Sequence, residues 1–425
     1  MLDTKFIRDN QETVRKMLED RNVAADLDGF LEADSRFRSI IDEVNSLKHE
    51  KNVVAPQIAK EKDPQKKKEL IFRMKGVNSK LKDLEEESRR MDHKRNEIRL
   101  MIPNMPMDDV PRGPDDSANE TVLTRGEPIG KDFEIKDHIG IGSSLDIIDT
   151  ERGAKVAGSG FYVLKGEGAR LERALVNFMM DIHREQGYTE VWPPALANTA
   201  SMTGTGQLPK FESDMYRLPD DDLYMIPTGE VPVTNLHRDE ILDRGDLPIR
   251  YQAFTPCFRR EAGHHAGEEG IIRVHQFSKV ELVSIVEPDR SGKELERLTD
   301  NASEVLRQLD LPFRKIILCT GDLTFSSAKT YDLEVFSPAG NRWLEVSSCS
   351  LFSGYQARRA MIKYRPKPHL SSEFVHTLNG SGLAVGRTMV AILENYQRED
   401  GKVEIPKKLR QIGRASCRER VCHRV

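Results

Sequence analysis

The chain has 425 residues, with 65 Lys+Arg against 69 Asp+Glu and a formal net charge of −4. That length is two to three domains' worth, and a 38% apolar, 32% charged composition is that of a soluble globular protein with a core of its own. The five cysteines (257, 319, 349, 417 and 422) include no pair at metal-ligand spacing, which argues against a disulfide framework and for a reducing compartment. No apolar run approaches the ~20 residues of a membrane span and the N-terminus lacks a secretory apolar region, so a cytoplasmic protein without membrane contact is expected.

Two long helical patterns fill the N-terminal quarter. Ile40, Val44, Leu47, Lys51, Val54 and Ile58 alternate four and three apart, and so do Leu70, Met74, Val77, Leu81, Leu84, Ser88, Met91, Arg95 and Ile98. This is the seam of a coiled coil. Only a short polar turn around Pro64 separates the two patterns, so the helices must fold back as an antiparallel hairpin. At 1.5 Å per residue the second helix extends roughly 50 Å, which makes it an arm. Residues 31–100 hold 18 Lys+Arg and 14 Asp+Glu, and residues 60–82 alone hold nine against three. The excess sits at the far end of the hairpin. A solvated coiled-coil face and a finger gripping a phosphate backbone both fit, and composition alone does not choose.

A Pro/Asp-rich stretch follows, with Pro103, Pro106, Pro111 and Pro114, and reads as an extended linker over residues 103–125. Beyond it the pattern is mixed α and β. Residues 168–185 read as an amphipathic helix through Leu171, Leu175, Phe178, Met179 and Ile182. Strands are expected at 271–277, 279–286, 315–318, 331–336 and 343–347, and short turns such as 337–341 favour an antiparallel sheet. Neither a GxxxxGK[ST] nor a GxGxxG follows a strand, so a nucleotide here is not held by a P-loop or Rossmann fold.

Three segments of this second region stand out: the helix running into Gly187-Tyr188-Thr189-Glu190-Val191-Trp192-Pro193-Pro194; Phe258-Arg259-Arg260-Glu261 with 272–281 after it; and Asn379-Gly380-Ser381-Gly382-Leu383-Ala384-Val385-Gly386-Arg387 leading into a helix. Singly each is weak, since paired arginines commonly form surface ion pairs and Gly-Ser-Gly commonly forms a turn. In this order they resemble the three signature motifs of class II aminoacyl-tRNA synthetases. The helical arm narrows the resemblance to the seryl-tRNA synthetase family, as do Thr228-Gly229-Glu230 (usually Thr-Ala-Glu there) and Glu345-Val346-Ser347-Ser348. The resemblance spans residues 1–411. It implies an α+β protein in which an N-terminal antiparallel coiled-coil hairpin (1–102, tRNA-binding) precedes a catalytic core (126–411), an antiparallel β-sheet flanked by helices.

The resemblance also implies an activity: ATP-dependent activation of L-serine, then transfer to tRNA(Ser), with tRNA(Sec) a further candidate substrate. The attacking carboxylate is already ionised at neutral pH, so no general base is needed and the barrier is charge and positioning. Arg259, Arg387 and Glu345 are the implied catalytic residues. Arg259 would meet the α-phosphate and the substrate carboxylate, and Arg387 the γ-phosphate. The implied ATP site comprises Arg259, Arg260, Glu261, Val274, Phe277, Glu345, Val346, Ser347, Ser348 and Arg387, with Glu261 reading adenine. Mg2+ would be held with ATP by Glu345 and Ser348. The serine site would comprise Thr228, Gly229, Glu230, Arg259, Glu281, Asn379 and Ser381. The implied tRNA contacts are Lys60, Lys62, Lys66, Lys67, Lys68, Arg73 and Lys75, and a homodimer is implied with residues 168–194 at its two-fold interface.

The loop His264-His265-Ala266-Gly267-Glu268-Glu269-Gly270 departs from the family, with Glu269 where an arginine is usual. A zinc site of His264, His265, Cys257 or His275 is not expected, because adjacent histidines seldom share one ion. An amino-acid:carrier-protein ligase, which lacks the arm, and a catalytically dead RNA-binding paralogue stay open as alternatives. The stretch between Arg387 and residue 411 is too short for an anticodon-reading domain, which leaves tRNA recognition to the arm. Residues 412–425 match nothing in the family and back-translate to a short-read sequencing adapter, so they are expected to be a non-native tail.

Overall fold

A computed structural model describes residues 1–128, 130–261 and 270–411. The chain forms two compact units, one of residues 2–19 with 23–103, the other of residue 1, residues 20–22 and the chain from 104 onward. Most of the atypical loop and the whole of the tail fall outside the described residues.

The first unit is built on the expected hairpin, α1 (Leu27–Lys60) and α2 (Pro64–Leu100). The turn is tighter than the sequence implied, three residues long. The Asp63 carboxylate accepts from the amides of Gln65 and Lys66, and Pro64 takes the first helical position, where a missing N–H costs nothing. Pro56 lies inside α1 without ending it. The seam buries Ile40, Val44, Val54, Met74, Val77, Leu81 and Leu84, with Leu47, Ile58, Leu70 and Met91 against them. Ion pairs cross it at Arg36–Glu87 (2.6 Å), Lys48–Glu85 (3.0 Å) and Arg73–Glu50 (2.6 Å). Such exposed pairs are worth at most ~1 kcal/mol each, so they set register more than stability.

The second unit is organised by eight strands: β1 (Glu120–Arg125), β2 (Thr189–Glu190), β3 (Ile249–Phe258), β4 (Gln276–Val286), β5 (Phe313–Ile317), β6 (Lys329–Ser337), β7 (Arg342–Ser353) and β8 (His376–Ala384). They form one sheet in the order β1-β5-β6-β7-β8-β4-β3-β2, antiparallel except for β2 against β3. Three helices, α3 (Gly166–Glu185), α4 (Ser291–Gln308) and α5 (Val385–Asn395), share one hydrophobic core with the sheet. In that core Leu171, Leu175 and Met179 of α3, Leu298 and Val305 of α4, and Met389 and Leu393 of α5 join Val280, Leu282, Leu351, Leu378 and Leu383.

Side chains alternate across a strand, so the residues between those core positions face the other way. These are Lys279 and Glu281 on β4, Ser348 and Ser350 on β7, and Asn379 and Ser381 on β8. Two bulges adjust the alternation. The β6–β7 register skips Val346, which turns both Glu345 and Ser348 to the polar face, and the β4–β8 register skips Gly382.

Two expectations are corrected, and one motif is placed. Residues 103–125 are not a free linker: the Asn104 side chain donates to the carbonyls of Ser326 and Phe352, and β1 is an edge strand paired with β5. The 271–277 strand is mostly loop, because pairing with β3 begins only at Gln276. The Asn379-Gly-Ser-Gly run is a central strand. A Cβ on Gly380 would collide with Leu298 of α4, and one on Gly382 with the His183 ring of α3, so glycine is required by close packing there.

Candidate active site

The polar face of β4, β7 and β8 floors a cavity of about 440 Å³. Arg259 follows the last residue of β3. Its guanidinium lies 5.1 Å from the Phe277 ring centroid and donates to the Pro227 carbonyl at 3.3 Å, so stacking and a hydrogen bond hold it over the floor. Arg387 stands in the first turn of α5 and donates to the Glu345 backbone carbonyl (2.9 Å), the Glu345 carboxylate (3.4 Å) and the Ile272 carbonyl (3.2 Å). Glu261 accepts from Arg273 at 2.8 Å and has φ 48°, a conformation rare outside glycine that turns the chain at the pocket's edge.

Beneath the cations lies an acidic pair. Glu281 is fully buried, accepting from Thr228 Oγ1, from Lys279 Nζ at 2.6 Å and from Asn379 Nδ2 at 3.0 Å. Lys279 also donates to Thr228 Oγ1 at 2.8 Å. Among the described residues no Lys, Arg or His forms an ion pair with Glu230. Gln356 Nε2 donates to its Oε1 at 2.6 Å, and Gln356 is itself held by Thr377 Oγ1 at 2.8 Å. Burial, with the Glu281 charge second, pushes the Glu230 carboxyl up to about 7.

Twelve of the sequence-derived residues line the cavity together: Thr228, Glu230, Arg259, Glu261, Val274, Phe277, Glu345, Val346, Ser348, Asn379, Ser381 and Arg387. Four do not. Glu281 is buried outside the lining, and Gly229 packs against Thr255 and the Glu281 side chain. The Arg260 side chain reaches the Ser213 carbonyl at 3.3 Å, and the Ser347 hydroxyl is turned away to donate to the Ser381 carbonyl at 2.6 Å. Sequence reasoning missed Lys279 and Gln356. The signal for Lys279 was its spacing two residues before Glu281, on the same strand face; Gln356 had none. It also missed the wall of Phe211, Met215 and Phe325.

Among the described residues no three His, Cys, Asp or Glu side chains are gathered to hold a metal ion. Mg2+ commonly takes only one or two carboxylates together with substrate phosphates and water. Glu345 and Ser348 share the pocket face, and Ser348 hydrogen-bonds Asp332, whose Oδ1 is buried with no partner. Hard oxygen donors with an orphaned carboxyl oxygen behind them fit Mg2+.

The arm presents a different surface. Lys60, Lys62, Lys66, Lys67, Lys68 and Lys75 are exposed, and none has an acidic partner among the described residues. Arg73 is the exception, engaged by Glu50.

Residues 210–396 match the family description "tRNA synthetase class II core domain (G, H, P, S and T)". The antiparallel sheet with its arginine- and carboxylate-lined pocket is a class II synthetase core. Residues 1–106 match "Seryl-tRNA synthetase N-terminal domain". Two proteins named serine–tRNA ligase, from Halothermothrix orenii and Syntrophotalea carbinolica, are 54% and 52% identical over 96% of this chain and 98% and 97% of their own lengths. The seryl-tRNA synthetase of Pyrococcus horikoshii, solved in complex with ATP, superposes with a TM-score of 0.92 at 35% identity, covering 97% of this chain and 98% of that one. The chain belongs to the seryl-tRNA synthetase family.

Proposed function

We propose that this protein joins L-serine to tRNA(Ser) in two steps driven by ATP. The serine carboxylate attacks the α-phosphorus, a bond forms between its oxygen and phosphorus, and the bond from that phosphorus to pyrophosphate breaks. Arg259 draws the two anions together and Arg387 holds the γ-phosphate, each as a fixed cation that needs no reorganisation during reaction. Glu261 reads the adenine. Mg2+ bound with ATP would rest on Glu345 and Ser348 and reduce the repulsion between carboxylate and phosphate.

The serine ammonium pairs with Glu230, and the hydroxyl is read by the Thr228–Glu281–Lys279 group with Asn379 and Ser381 nearby. A site built to hydrogen-bond a hydroxyl rejects an analogue lacking it by a factor on the order of 10⁴, because its buried polar groups are left unpaired. In the second step the terminal ribose hydroxyl of tRNA attacks the seryl carbonyl and AMP leaves. The unpaired lysines of the arm grip the RNA backbone. Two copies of the chain act together: Trp192, in the 168–194 segment, is 84% exposed, as a residue awaiting a partner would be. The working compartment is the cytoplasm.

The single observation carrying this reading is the convergence of Arg259, Arg387, Glu345 and Glu230 on one cavity. Arg387→Ala tests it. The variant is expected to fold and to lose serine-dependent exchange of pyrophosphate into ATP, and retention of wild-type exchange would contradict the assigned role.

A further inference from the structure

Asp332 lies on β6 directly opposite Ser348 of β7. Only 9% of it is exposed, and its Oδ1 is buried without a hydrogen bond. Among the described residues its side-chain partner is the Ser348 hydroxyl, and the carboxylates of Glu345, Asp322 and Glu334 act on it with like charge. The cations of this part of the sheet are taken by other acids: Lys315 by Glu296 at 2.7 Å, Lys329 by Asp109 at 2.6 Å, and Arg314 by Glu334. Among the described residues no Lys, Arg or His pairs with Asp332. A carboxylate buried among like charges without a cation is costly, and an asparagine of the same shape would avoid the cost. The fold instead keeps an acid there, behind the two residues best suited to a divalent cation.

We propose that Asp332 is a further anionic member of the cation site, a positioning residue that fixes the Ser348 hydroxyl and adds its negative charge behind the ion held by Glu345 and Ser348. This rests on the proposed binding of Mg2+ with ATP. Ser348, held from behind by Asp332, turns its oxygen lone pairs toward the pocket, and the acid's charge raises the affinity of the site for a divalent over a monovalent cation. A purely structural Asp332 would be a neutral hydrogen-bonding group, and an amide would replace it without consequence for cation binding.

The test uses the full chain with a non-hydrolysable ATP analogue and Mn2+ as the probe, counting free Mn2+ by electron paramagnetic resonance. Asp332→Asn is expected to weaken Mn2+ affinity in the nucleotide complex by roughly 10- to 100-fold, the range for groups that orient metal ligands. Its metal-free Tm should equal or exceed that of the wild type, since a buried acid without a cationic partner is removed. Asp332→Ser is the second variant should the amide disturb folding, and the same loss is expected. Wild-type Mn2+ affinity in a folded variant would overturn the assignment of Asp332 and leave the proposed function standing. If the wild type itself took up no Mn2+ with nucleotide, the Mg2+ reading would fall and the assignment with it.

Discussion

Glu230 and Glu281 are both buried beneath one pocket, yet the cost of burial is met in two ways. Glu281 has the Lys279 ammonium 2.6 Å away. Glu230 accepts from the neutral amide of Gln356, and burial, with the Glu281 charge second, pushes its carboxyl from the usual 4.5 up to about 7. A serine ammonium prefers the ionised form, so serine affinity should rise as pH climbs through about 7, and the KM for serine should fall between pH 6 and 8. Glu230→Gln should flatten that dependence. A serine KM independent of pH over this range in the wild type would argue against Glu230 as the ammonium seat. Stability runs the opposite way. The folded chain binds this proton more tightly than the unfolded chain, so the contribution is intact below about 4.5 and is lost as pH rises toward 7. Glu230→Gln should therefore melt above the wild type at pH 8 and alongside it at pH 4. At this scale the sequence was legible for the residues gathered at the pocket, Arg259 and Arg387 among them. Lys279, Gln356 and Asp332 escaped because each acts on another side chain, and nothing in a residue's type announces that role.

At the scale of elements, legibility followed periodicity. The hairpin was readable from its alternating seam because a coiled coil writes its contacts at fixed spacing along one helix. Besides β1, which lies in a stretch that reads as linker, two strands were not. β3 carries Pro256, which argues against a strand, but β2 covers only its Tyr251–Gln252 portion, so by Pro256 one side of β3 is open and a missing N–H is tolerated. β8 reads as a turn because Asn, Gly and Ser are turn residues, while the packing of Leu298 and His183 supplies a different reason for the glycines. The arm also yields a separable test. Changing Lys66, Lys67 and Lys68 together to alanine removes three exposed, unpaired charges and no seam contact. Serine-dependent pyrophosphate exchange should be unchanged, and charging of tRNA(Ser) should weaken by tenfold or more at physiological salt, with a shallower salt dependence. Unaltered charging would mean that the distal arm does not carry the RNA.

Across the whole molecule the net charge of −4 conceals a division of labour. Residues 31–100 carry a net +4 and the 412–425 segment, with four Arg and one Glu, a net +3, so the remainder is strongly acidic. Such a body repels RNA except where the arm and the pocket arginines offer positive charge. A symmetric pair of chains would bury the exposed Trp192. Sedimentation should give twice the 48.3 kDa chain mass, and Trp192→Glu should shift the protein toward the monomer; a wild-type monomer at micromolar concentration would contradict the proposed dimer.

If one pocket activates serine with ATP, pyrophosphate exchange into ATP, measured with the purified chain, Mg2+ and each amino acid in turn, reads that step alone. Exchange should depend on serine and be at least 10⁴-fold weaker with alanine, which lacks the hydroxyl the pocket reads. Exchange that is absent, or that proceeds equally well without serine, would mean that this pocket does not activate serine.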